Sequence, residues 1–185
     1  DWLLWALYGV LFLNIAEATM KDFATANYYN AIVGVILCLT IPLVKGKGYK
    51  KNMWAFSKDK PGDLLAFTSP MWNFVYTTWN LAFVFGENAG FFASSFCILI
   101  AAELYPIIKK RPELYVTARV YTLAFHILIR STYDIFTPIM DSSSWANDSV
   151  LYYWGIINFA IAIPFLIYWT KNTIERRKSA NTQLT

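Results

Sequence analysis

The chain has 185 residues, 57% of them hydrophobic and 15% charged, with a net charge of +4. Soluble domains carry about 25% charged residues, so this composition, with a mean hydropathy of +0.38, excludes an ordinary soluble domain and points to a polytopic membrane protein. The positive balance does not require nucleic acid, because cytoplasmic loops of membrane proteins collect Lys and Arg.

A helix needs about 20 apolar residues to cross the hydrocarbon core. Six segments meet or approach that length: Trp2 to Phe23, Tyr28 to Val44, Leu64 to Phe85, Ala89 to Ile108, Tyr115 to Pro138, and Val150 to Trp169. Their apolar runs are continuous, without the two-residue alternation of a barrel wall. The expected fold is therefore all-α, a transmembrane helical bundle over residues 1–170 followed by a basic cytoplasmic tail, 171–185. The chain starts at Asp1, without Met, and enters an apolar run at once. No basic n-region or cleavage site precedes that run, so it does not read as a signal peptide, and an upstream part of the chain is expected.

The loops alternate in charge. Lys45, Lys47, Lys50, Lys51, Lys58 and Lys60 follow the second segment, Lys109, Lys110 and Arg111 follow the fourth, and Lys171, Arg176, Arg177 and Lys178 follow the sixth. Glu87, Asp141 and Asp148 sit in the alternate connections. Positive loops stay inside, which places the C-terminus in the cytoplasm of a multi-pass cell-membrane protein. Trp2, Trp5 and Trp169 then mark the inner interface, and Trp145 and Trp154 the outer one. Met53, Trp54 and Phe56 read either as a short amphipathic piece on the inner leaflet or as disorder. Pro70 and Pro164 read as interruptions of the third and sixth helices, each removing a backbone donor. Asn147-Asp148-Ser149 is a glycosylation sequon in an outer connection.

The polar residues inside the apolar runs carry the functional reading, because ionisable groups at membrane depth are rare and mark sites. In the fifth segment Arg119, His126, Arg130 and Asp134 fall within about 80° of one another at 3.6 residues per turn. They form one stripe. Depth along the helices matches Glu103 with Arg119 near the inner end, a structural ion pair. It also matches Glu17 with Arg130 near the outer end, with Lys21, Asp22 and Asp134 close by. In the third segment Asn73, Tyr76, Thr77 and Asn80 share a face and are expected to turn toward the stripe. Trp72 and Trp79 lie about 100° around from them, where each indole N–H can reach a neighbouring helix. The plainer reading of the Asn residues is interhelical glue, worth about 0.6 kcal/mol per contact, and that of His126 alone a satisfied core histidine. The outer layer of Arg130 with Glu17, Asp22 and Asp134 reads as function, since glue seldom needs so many charges at one depth.

The stretches LYGVLFLNIAEATMKDF, MWNFVYTTWNLAFVF, AELYP and ARVYTLAFHILI resemble an uncharacterised family of bacterial multi-pass membrane proteins, known only as a domain of unknown function. The resemblance covers most of the chain and implies further helices upstream. It brings no activity and no catalytic residues.

The function read from the residues is a transporter or channel-like protein for a small polar or charged solute. Its pathway candidates are Glu17, Asp22, Asn73, Asn80, His126, Arg130 and Asp134. One alternative is an intramembrane enzyme acting on a lipid or isoprenoid, with His126 as general acid or base. The reading leans away from it, because no GxSxG, HExxH or Asp-rich metal box is present. Another is a structural subunit of a membrane complex. Cys38 and Cys97 sit apart in apolar runs as packing residues, so neither a metal nor another cofactor is expected. The expected partners are the lipid bilayer and a small polar or anionic ligand.

Overall fold

A computed structural model describes residues 2–45, 52–60, 62–134 and 139–182, with side chains described as far as Glu175. The chain forms α1 (Trp2–Ala24), α2 (Tyr28–Thr40), β1 (Trp54–Phe56), β2 (Leu64–Ala66), α3 (Pro70–Glu87), α4 (Phe92–Lys109), α5 (Tyr115–Thr132) and α6 (Asp148–Thr182). Single 3-10 turns lie at Ala89–Phe91, Pro112–Leu114 and Ser143–Trp145. Among the described residues, three helical stretches are long and apolar enough to cross a membrane: Trp2–Ala24, Ala89–Lys109 and Asp148–Glu175. They mark an integral membrane protein. The described helices α2, α3 and α5 are shorter or more polar. The thirteen residues of α2 rise only about 20 Å.

Local chemistry sets the helix ends. Ser69 caps α3, its Oγ accepting from Trp72 N at 3.1 Å. Pro70 occupies the first helical position, where its missing N–H and fixed φ do no harm. Pro70 therefore starts the third helix and does not interrupt it, and residues 64–66 are a strand. The α4 C-terminus closes with Lys110 left-handed at φ 53°, Lys110 N bonding Ile107 O and Arg111 N bonding Pro106 O at 2.9 Å. That pair of bonds satisfies the last carbonyls. The second helix stops at Thr40, short of Val44. The fifth ends at Thr132, and residues 135–138, counted in it from the sequence, lie outside the described residues. The sixth runs through Pro164 without a break and on to Thr182, so the first part of the basic tail is helical. At 35 residues it is about 52 Å long, well beyond the roughly 30 Å hydrocarbon core.

The stretch from Met53 to Phe56 is neither an amphipathic surface piece nor disordered. β1 pairs antiparallel with β2, Ala55 opposite Leu65. Trp54 is fully buried and donates its indole N–H to Pro42 O at 2.6 Å. Thr117 Oγ1 of α5 donates to Leu64 O. The hairpin thus closes one end of the bundle between the exit of α2 and the start of α5.

The helices pack in sequence: α1 on α2, α2 on α3 and α6, α3 on α6 and α4, and α4 on α5. At the α1–α2 contact a Cβ on Gly34 would stand 2.1 Å from Thr19 Oγ1, so glycine is what allows the approach. The core holds Ile15, Leu37, Val75 and Phe165 around the aromatic run of α3, in which Trp72 stacks on Tyr76 with centroids 5.2 Å apart. Large apolar side chains also cover the outside, among them Leu13, Met20, Leu39, Ile108 and Phe125. A soluble monomer does not expose that much apolar surface. Lipid is its natural solvent.

Candidate functional site

Among the described residues, two separate groups of interior polar side chains join three or more helices, and α3 contributes a hydroxyl to each. The first joins α1, α2, α3 and α6. Asp22, buried near the end of α1, accepts from Asn27 Nδ2 at 3.1 Å and Asn30 Nδ2 at 2.7 Å. Asn30 is fully buried in the first turn of α2. Its side-chain amide also donates to Trp79 O at 3.3 Å, and its backbone carbonyl oxygen accepts the Trp79 indole N–H at 3.0 Å. Asn158 of α6 donates to Asn30 Oδ1 at 2.9 Å and to Thr78 O at 3.2 Å. Thr78 Oγ1 donates to Asn158 Oδ1 at 2.8 Å and accepts from Trp154 Nε1 at 3.1 Å. Four helices are therefore tied by neutral amides, hydroxyls and indoles around one carboxylate.

The second group joins α3, α4 and α5 near the hairpin end. Thr77 Oγ1 donates to Glu103 Oε2 at 2.8 Å and meets Tyr115 OH at 2.6 Å. With the Thr77 proton directed at the carboxylate, the phenol donates to Thr77. The chain of bonds runs from Tyr115 through Thr77 to Glu103, and all three side chains are buried. Arg119 lies one turn beyond Tyr115 on α5, on the same face. Its Nε and Nη1 are buried and have no hydrogen-bond partner. Asn73, one turn before Thr77 on α3, donates to Pro112 O at 3.1 Å and accepts from Thr68 Oγ1 at 2.6 Å.

Several sequence expectations need correction here. Glu103 and Arg119 do not form an ion pair within 4.0 Å: the carboxylate goes to the Thr77 hydroxyl and the guanidinium keeps donors to spare. The layer of Arg130 with Glu17 does not assemble either. Glu17 is exposed and pairs with Lys21 at 3.5 Å, and Lys21 reaches on to Glu87 at 3.1 Å. Arg130 is exposed, its guanidinium carbon 3.7 Å from the centre of the Phe91 ring, a cation–π contact. Asp134 is exposed and lies past the end of α5. Of the stripe, His126 does turn inward, its Nε2 3.1 Å from Ser94 Oγ of α4. The reason is packing: α5 lies against α4 rather than at the centre of a ring of helices, so most of its circumference faces outward. Asn73 turns to the Pro112 turn and Thr68 rather than to the stripe, and Asn80 is buried on α3.

The two indoles do reach a neighbouring helix. Trp72 Nε1 donates to Thr40 Oγ1 at 3.2 Å and Trp79 Nε1 to Asn30 O, both on α2. At the far end from the hairpin, Ser142 Oγ donates to Ala89 O at 2.5 Å and accepts from Ala93 N at 3.0 Å, fastening the connection before α6 to the start of α4. Beside it Asp141 accepts from Ser143 Oγ and Ser143 N, which holds its carboxyl below the usual carboxylate range. Asn30 and Thr78 were not among the residues singled out from the sequence. The one available signal was an amide inside a short apolar helix. Among the described residues no group of three or more His, Cys, Asp or Glu side chains could hold a metal ion.

No protein-family model, no curated protein and no solved structure matches the chain.

Proposed function

We propose that this chain is a six-span membrane protein that admits and passes a small polar or charged solute, with the Thr77, Glu103, Tyr115 and Arg119 group as its recognition point. One observation carries the reading. A guanidinium set among buried polar side chains has two buried nitrogens with nothing to donate to. Buried polar groups in native proteins are nearly always partnered, and an orphan calls for water or an ion to complete it. A bundle that served only to hold itself together would gain by pairing that charge.

The six-span topology is supported by the alternation of loop charge. The polar faces of α3 turn inward onto their neighbours, which is how polar spans are sheltered from lipid. On this reading the hairpin and the C-terminus face the cytoplasm of a cell membrane. In a cysteine-free background, Ser143→Cys should react with an impermeant thiol reagent on intact cells and Ser57→Cys should not. The reverse pattern sinks the orientation.

Passage itself is read in proteoliposomes loaded in turn with small anions, cations and zwitterions. At least one class should leave faster than from protein-free vesicles, and Arg119→Gln should abolish the difference while keeping the helical circular-dichroism signal. The second reading is a structural subunit, and a specific observation favours it: the Asp22, Asn30, Thr78 and Asn158 group ties four helices by bonds among its own members. Efflux no faster than from empty vesicles for every class, or unchanged by Arg119→Gln, would leave that reading standing.

A further inference from the structure

The geometry points to a binding site for a phosphate-type oxyanion at Arg119, between α3, α4 and α5 at the hairpin end of the bundle. This deepens the transport reading by naming the solute class, and rests on that reading only for the step from binding to passage. Three observations converge on it.

The first is the charge. A guanidinium stays protonated at any working pH and has donors but no acceptor. Arg119 is half-buried, and a charge withdrawn even partly from water without a partner is costly and cannot be relieved here by losing its proton. Glu103 does not relieve it either, because no ion pair within 4.0 Å joins them and Thr77 holds one of the two carboxylate oxygens. Tyr115 in turn is held on Thr77, so the neighbouring hydroxyls are engaged with one another.

The second is direction. The orphaned groups are Nε and Nη1. They lie on different edges of the guanidinium plane, so one acceptor atom cannot meet both. An oxyanion with two oxygens on one centre takes the parallel N–H bonds of a single edge, Nε with Nη2 or Nη1 with Nη2, and Arg binds phosphate through such paired bonds. Water is uncharged and leaves the cation uncompensated.

The third is approach. Lys109 ends α4 and Lys110 and Arg111 follow it, one 3-10 turn before α5 begins. Arg111 is held by Glu113 at 2.8 Å, while Lys109 and Lys110 are exposed. Basic groups at the mouth of a site raise the local concentration of an anion, and more than one of them suits an anion of more than one charge.

The same phosphate chemistry can come from a free phosphate or from a lipid headgroup, and two arms separate the sources. In the first, the full chain in maltoside detergent stripped of phospholipid is titrated with inorganic phosphate at constant ionic strength, and thermal unfolding is followed. In the second, it is placed in vesicles of a galactolipid with and without added phosphatidylglycerol. Phosphate stabilisation in the first arm identifies a free solute, and stabilisation in the second alone identifies a headgroup; either supports the site. In the arm that responds, Arg119→Lys should weaken apparent affinity about tenfold, the equivalent of ~1.4 kcal/mol, because an ammonium is a point charge without the planar fork. Arg119→Gln should abolish the response. Arg119→Lys keeps the charge and so guards against loss of fold as the explanation. The proposal is overturned if neither arm responds, if acetate stabilises as well as phosphate, or if the response survives in Arg119→Gln. If phosphate binds and no solute crosses, the site stands and the transport reading falls.

Discussion

Asn30 and Arg119 are both polar side chains inside the bundle, on opposite sides of α3, and they end in opposite states. The Asn30 side chain donates to Asp22 and to Trp79 O and accepts from Asn158. Arg119 has two buried nitrogens with no partner. The difference follows from what each group carries. An amide has donors and acceptors in equal measure, so a few amides, hydroxyls and indoles can close a network among themselves. A guanidinium has five donors and no acceptor, so its surroundings must supply a surplus of oxygen. Around Arg119 one carboxylate oxygen of Glu103 and the hydroxyls of Thr77 and Tyr115 are engaged with one another, and no Glu103 oxygen comes within 4.0 Å of the guanidinium. One side of α3 is a closed seam. The other is a site with capacity left.

The largest effect that would sharpen this contrast is expected at the hub of the closed seam. Asn30→Ala removes the side chain that meets Asp22, Trp79 O and Asn158 together. It strands one Asp22 carboxylate oxygen and takes one of the two bonds of the Asn158 amide nitrogen in a buried seam, at about 1–3 kcal/mol for a stranded group. Reversible unfolding in mixed micelles reads the loss. Asn14→Ala, at an exposed position on α1, is the control and should cost far less. Equal effects at the two positions would mean that the seam is no more than surface polarity turned inward.

How much of this was legible depends on which physical signal each residue sends. Long apolar runs announce themselves, so the six helices were read in order, and a 100° offset was enough to aim Trp72 and Trp79 at a neighbour. The hairpin was not readable. Three-residue strands are too short to show an alternating pattern, and a Lys-rich flank made Trp54 look like an interface residue rather than a buried one. The apolar run through Leu64 and Leu65 masked the start signal of Ser69-Pro70. Matching depth proposed Glu103 with Arg119, but depth is one coordinate of three. It carried no information on Thr77, whose hydroxyl takes the carboxylate. For Arg130 the angular reading of the stripe was sound and the inference from it failed, because a stripe says which residues share a face and not what that face meets. Asn30 was missed for a different reason. It is uncharged, and Trp79 and Asn158 lie 49 and 128 residues away in the chain, a distance that no local pattern spans.

The smallest expected effect is also the most discriminating, because it compares two adjacent hydroxyls on one helix. Thr78→Val removes the acceptor of the Trp154 indole N–H and the donor to Asn158 Oδ1. Both partners sit in the closed seam, where every nearby group is engaged, so both are stranded. Thr77→Val removes the donor to Glu103 and the acceptor of the Tyr115 hydroxyl. Here a replacement is at hand. Freed of Thr77, the Glu103 carboxylate can turn toward the unpartnered nitrogens of Arg119, and a charge-assisted bond is roughly twice as strong as a neutral one. Valine nearly matches threonine in shape, so packing contributes little to either change. Thr78→Val is therefore expected to lower the unfolding temperature more than Thr77→Val, although Thr77 is the more deeply buried of the two. The contrast should vanish in an Arg119→Gln background, where no cation remains to take the carboxylate. If Thr77→Val proves the more damaging in the parent chain, Arg119 has no free capacity, and the contrast between a closed seam and an open site is lost.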